Sequence, residues 1–215
     1  MPRRITTCRQ SKPDRGKALS CAAKFVDILA GLGGLLIVVM LLVAGGLARW
    51  GYNFSNSSVH TQLAQQQIVF PAKGSAALAS PTIGPYLNQY AGQPLTTGAQ
   101  AKAYADHFIA VHLSEMPNGG VYSKVSAAAQ ADPTNAALKA QVQTVFQGTT
   151  LRGLLVEAYA FSVFATIALW AATASFILAF VMAIMVGLGF WHARRVTDTA
   201  ELLAPAAPGR QPVTA

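Results

Sequence analysis

The sequence predicts a mostly α-helical protein: two transmembrane helices with a small helical extracytoplasmic domain between them. Three observations predict it. Two long apolar runs carry no charge, Lys and Arg crowd the outer flanks of the pair, and the stretch between the runs shows helix caps and breakers but no long alternating strand pattern.

The first run, 28–48, reads ILAGLGGLLIVVMLLVAGGLA. At 1.5 Å per residue its 21 residues reach about 30 Å, the thickness of a bilayer's hydrocarbon core. A cleaved signal peptide has a shorter apolar centre, so 25–48 is expected to stay as the first transmembrane helix. Asp27, beside Lys24, stands one residue before the run and is expected in the cytoplasmic headgroup zone. The second run, 158–191, is longer and holds neither charge nor proline. A helix over its 34 residues reaches about 51 Å, too long for one bilayer and too short for two spans and a turn. One long helix over 154–192 is expected, its outer end standing above the membrane against the middle domain.

Charge sets the orientation. Of the 16 Lys and Arg, seven precede the first run (Arg3, Arg4, Arg9, Lys12, Arg15, Lys17 and Lys24), and Arg194 and Arg195 close the second. Such flanks resist translocation, so both termini are expected in the cytoplasm of a two-pass cell-membrane protein, with 1–24 a basic tail and 193–215 a disordered one. The net charge of +8 therefore argues for no nucleic-acid partner. Trp191 suits the inner interface, and Trp50 with Tyr52 the outer one. Cys8 and Cys21 both fall on the cytoplasmic side, where thiols stay reduced, and the outer domain has no cysteine to bridge.

The second helix carries small residues at intervals of four: Ala171, Ser175, Ala179, Ala183 and Gly187. Small faces let helix backbones approach closely in lipid. The first helix offers Ala30, Gly31, Gly33 and Gly34 near one end, and Ala44, Gly45 and Gly46 near the other. The stripe either packs the two helices on each other or also docks a further subunit or a second copy.

In the middle region, 49–153, Ser57-Ser58 can cap a short helix to about Val69, and 74–93 reads as loop. Thr96-Thr97 can cap a helix to about Glu115, halted by Pro117-Asn118-Gly119-Gly120. A short helix is expected over 122–131. Asp132-Pro133 is a start signal for another, with Leu138, Val142, Val145 and Phe146 on its apolar face and Gly148-Thr149-Thr150 leading on to the membrane helix. Tyr104, Phe108 and Val111 form an apolar face that suits a core. The sequons at Asn53 and Asn56 lie too near the membrane for ready glycan transfer.

Catalytic signals are sparse. His107 and His112 are five apart, about 140° around a helix, a poor metal pair. His112 and Glu115 can share a face, but spacing fixes no third ligand. No catalytic, metal or cofactor site is expected, and the chain is not expected to be an enzyme. There is no Walker loop, G-x-S-x-G, H-E-x-x-H or C-x-x-C.

Short segments of the middle region resemble a family of actinobacterial two-pass membrane proteins. They are Val59-His60-Thr-Gln62-Leu63 with Ile68-Val-Phe70-Pro71, then Tyr90-Ala-Gly92, Gly98-Ala-Gln100-Ala101 with Ala105-Asp106, His112-Leu113 and Gly120-Val-Tyr122-Ser123. The resemblance covers about 25–195. It implies no established activity. Some members carry an "aromatic ring-opening dioxygenase" label, which needs a metal-ligand set that the sequence does not show. By analogy, similar two-pass actinobacterial proteins occur as accessory subunits of membrane complexes, including respiratory ones. Three readings follow: a non-catalytic accessory or scaffolding component of a cell-envelope complex; an extracytoplasmic ligand-binding or sensing protein; and a metal-dependent enzyme using His60, His107, His112 and Glu115. The expected partners are the lipid bilayer and other membrane subunits or further copies of the chain.

Overall fold

The structure, a computed structural model, describes residues 15–195. The expected tails, with Cys8 and Arg210, therefore lie outside the described residues except for 15–24 and 193–195. The described chain is almost wholly helical, with no strand among the described residues. Two helices dominate, α1 (Arg15–Gln65) and α7 (Ala136–Arg195). Between them lie α2 (Ala76–Ala79), α3 (Gly84–Leu87), a tight turn at Asn88–Tyr90, α4 (Gly98–Tyr104), a wide π-turn at Ala105–Ile109, α5 (Ala110–Ser114), a second tight turn at Pro117–Gly120, and α6 (Tyr122–Ala131). Both long helices are long and apolar enough to cross a membrane, within Ile28–Gln65 and Ala136–His192.

Three expected boundaries shift, two for packing reasons and one for a hydrogen-bonded cap. Ser57-Ser58 begins no new helix, because α1 runs unbroken past Trp50 and Tyr52 to Gln65. Gly51 alone costs a helix only about 1 kcal/mol, and the buried Val59 and Leu63 lie just beyond it. Gly148 does not interrupt α7, since Leu113 lies against it, 2.9 Å from where a Cβ would stand. Asp132 is not the cap of α7. Asn135 is, its Oδ1 accepting from the Leu138 amide at 3.1 Å, while the Asp132 carboxylate accepts from Thr134 Oγ1 and Asn135 Nδ2. The stretch 74–93, expected as loop, winds into α2 and α3.

The chain falls into two compact units, 15–43 with 175–195 and 44–174. In the first, Gly31 and Gly34 of α1 lie against Phe190 and Val186 of α7; a Cβ on either glycine would fall 2.5 Å from the ring or methyl it faces. The second has the apolar core: Val59 and Leu63 from α1, Phe70, Leu78, Ile83, Leu87 and Leu95 from the connecting segments, Ala101, Ala105 and Ile109 from α4 and the π-turn, and Leu155 from α7. After α1 the chain returns beside 92–95, with the Phe70 amide donating to Gln93 O and the Leu95 amide to Ile68 O.

Four contacts give the register of 98–114 on α7. Gly98 meets Ser162 and Tyr159, the Lys102 ammonium lies 5.2 Å over the Tyr159 ring, Asp106 faces Arg152, and Leu113 covers Gly148. Rising numbers on one side meet falling numbers on the other, so the segment runs antiparallel along α7. Thr97 starts it with a capping box, in which Gln100 returns its side-chain oxygen to the Thr97 amide at 3.0 Å. The buried Gln100 also accepts from the Thr96 amide and donates to Gln93 Oε1.

Gly98 is the close approach in this register. A Cβ there would meet Ser162 Oγ and stand 3.2 Å from the Tyr159 backbone, whereas nothing lies within 4 Å of one on Gly153. We expect Gly98→Ala to cost about 1–3 kcal/mol through overpacking. Gly153→Ala should be neutral or stabilise by about 0.5–1 kcal/mol through helix propensity. Thermal unfolding midpoints of the two variants in one detergent check the opposite signs.

Candidate functional site

The candidate residues from the sequence are the small-residue face of α7, and the structure divides them. Ala179 is buried and Ser175 half-buried, while Ala171, Ala183 and Gly187 are exposed. The reason is angular. A step of four advances 400°, so the stripe drifts about 40° per step and about 160° from Ala171 to Gly187. The fully covered alanines of α7 are instead Ala165, Ala172 and Ala179, seven apart. On α1 the covered or half-covered positions include Gly31, Gly34, Val38 and Leu41 in the first unit and Gly45, Ala48, Tyr52, Ser55 and Val59 in the second, each set in alternating steps of three and four, with Gly51 and Ser58 half-covered beside the second set. That is the spacing of a helix seam whose average period is 3.5. Of the glycines and alanines named on α1, Ala30, Gly33, Ala44 and Gly46 face outward.

In the 44–174 unit the aromatic residues form a ladder. Phe70 meets Tyr90 at 5.3 Å and Tyr104 at 5.4 Å, Tyr104 stacks on Phe108 at 4.7 Å, and Phe108 meets His112 at 4.4 Å. Tyr104, Phe108 and Val111 pack against the core. Burial pushes the Tyr104 phenol above its usual range.

The histidines go separate ways. His107 stacks on Tyr86 with centroids 3.5 Å apart, and His112 Nδ1 lies 2.7 Å from Phe108 O. His60 is exposed on α1. Among the described residues no three His, Cys, Asp or Glu side chains gather as metal ligands.

Two surface concavities flank the α1–α7 pair beside the core. One, of about 320 Å³, is polar-rimmed by Tyr52, Asn56, His60, Thr97 and Thr166. The other is an apolar groove of about 420 Å³ between 54–65 of α1, with Gln66 just past its end, and 151–161 of α7. Phe54, Val59, Leu63, Leu154, Leu155 and Phe161 line it, and Ser58, Gln62, Gln66 and Glu157 supply its polar atoms. Across its wall Ser55 Oγ donates to Phe161 O at 3.0 Å. The sequence reading missed this groove because it ended the first helix too early; with α1 extended, Phe54 and Phe161 fall opposite each other. Comparison with known proteins brought no family model, no curated protein and no solved structure that matches the chain.

Electrostatics here centre on one carboxylate. Asp106 accepts from Lys102 Nζ at 2.6 Å and faces Arg152 at 3.5 Å. The Lys102 hydrogen bond holds the Asp106 carboxyl below its ordinary 3.8 and raises the Lys102 ammonium above 10.5. A depressed carboxylate contributes stability above its unfolded value and loses it as pH falls through the folded one; a raised ammonium contributes below its unfolded value and loses it on the alkaline side. We therefore expect Asp106→Asn to lower the unfolding midpoint by a few degrees at most, because the pair is partly exposed. The difference should hold between pH 3.8 and 10.5 and shrink outside it. Unfolding midpoints of both forms across pH check the window.

Proposed function

We propose that the chain is a two-pass cell-membrane protein with both termini in the cytoplasm, acting without catalysis as an accessory or scaffolding component of a larger envelope complex. One observation carries this reading. In the most apolar stretch of each long helix only 11% of residues are buried, so these are not the core helices of a water-soluble fold. Leu36, Ile177 and Phe180 stand 57%, 59% and 68% exposed, an apolar surface that belongs against lipid or other membrane helices. The basic flanks support the orientation. The resemblance to two-pass actinobacterial proteins supports an accessory role by analogy.

The exposed small residues Ala183 and Gly187, four apart on α7, give another subunit's helix a place to approach closely. Purification in mild detergent, followed by native electrophoresis and mass spectrometry, should recover a defined complex with the same subunits each time. Replacing Ala183 and Gly187 together by Leu should release the chain from that complex with little change in its unfolding midpoint. Ala179→Leu should lower the midpoint itself, through a loss of about 1–3 kcal/mol of stability, since Ala179 is covered within the chain. Recovery of the bare chain alone from native membranes would sink the scaffold reading.

A second reading, an extracytoplasmic ligand-binding protein, is favoured by the groove between α1 and α7. Its volume lies within the ~300–1,000 Å³ of small-molecule sites.

A further inference from the structure

We propose that the groove between α1 and α7 takes one acyl chain of an amphipathic lipid whose headgroup is uncharged or zwitterionic. The proposal names a ligand class for the ligand-binding reading and rests on the membrane placement of the two helices.

Length is the first argument. The α1 wall from Phe54 to Gln65 rises about 17 Å, and one leaflet of a ~30 Å hydrocarbon core is about 15 Å deep, the reach of one lipid chain. Volume is the second. At about 420 Å³ the groove lies at the lower end of the ~300–1,000 Å³ of small-molecule sites, the size class of a single small ligand.

Continuity is the third argument. On α1, Leu47, Trp50 and Phe54 are exposed at 64%, 65% and 62%, spaced three and four apart, with Trp50 stacked on Phe54 at 5.6 Å. On α7, Phe164 leads through Phe161 to Leu154, all exposed. Both stripes run from the expected outer interface directly into the groove. An acyl chain can therefore leave the outer leaflet along apolar surface without crossing water. Charge is the fourth. No Lys or Arg lines the groove, and Glu157 does, so an anionic headgroup would meet a carboxylate and no counter-charge.

The test uses the full chain in phosphatidylcholine vesicles doped with phosphatidylcholine that carries a diazirine at the end of one palmitoyl chain. After photolysis, labelled peptides are mapped. Adducts are expected on 54–66 and 151–161, beyond the membrane, as well as on 28–48 and 169–191. Ser58→Trp, or Gln62→Trp at the exposed rim, should cut the groove adducts about tenfold and leave those on the spans unchanged. Adducts confined to the spans would overturn the groove proposal while sustaining the membrane placement. A chain that neither floats with the vesicles nor labels on the spans would overturn both. Groove residues found cross-linked to another protein in native membranes, with no lipid adduct, would also overturn it.

Discussion

The middle region depends on the surface that α7 continues to offer beyond its apolar span. Its own segments are short: four residues in α2, four in α3 and seven in α4. Such lengths are not stable alone in water. They hold because Gly98 lets the backbone of α4 settle against Ser162 and Tyr159, and because Leu155 enters the same core as Phe70 and Leu87. A helix that ended at the membrane surface would leave this core open on one side. The constraint explains why the apolar, uncharged character of α7 persists well past the thickness of a bilayer.

Much of this was legible in the sequence, and the parts that were not share a cause. The two apolar runs, the Thr97 cap, the helix over 122–131 and the stop at Pro117-Asn118-Gly119-Gly120 are local signals, set by hydropathy, side-chain oxygens and backbone freedom. Gly120 shows the last of these: its φ of +62° and the Leu113 carbonyl beside it leave no place for a side chain. The unbroken passage of α1 past Gly51 and of α7 past Gly148 was not legible, because in both places a weak local breaker is overruled by residues distant in sequence. The capping box at Thr97 and Gln100 was open to a closer reading of the Thr-x-x-Gln spacing.

The helix seam teaches a related lesson about periods. Repeats of four and alternations of three and four look alike over a single turn, and both contain Ser175 and Ala179. Over sixteen residues they part, and only the alternation stays on one side of the helix. The result is a division of labour along α7. One set of small residues is used within the chain, and another, with Ala171 and Gly187 at its ends, is left on the outside. Close packing inside the molecule and close approach from outside can therefore be varied separately.

The wide turn at Ala105–Ile109 settles a mismatch of phase. From Gly98 to Leu113 a regular helix makes fifteen steps of 100°, overshooting four whole turns by about 60°. Its two ends could not then both face α7 squarely. A turn closed one residue later winds more slowly and takes up most of the excess, acting as a vernier between two straight rulers. Such a device fixes the count of residues between its end contacts. Adding one residue to α4 or α5 would turn Leu113 by about 100° off Gly148, whereas the same addition in 72–75 would only lengthen a connection. The protein's tolerance of length change is thus set by where two rods must stay in step.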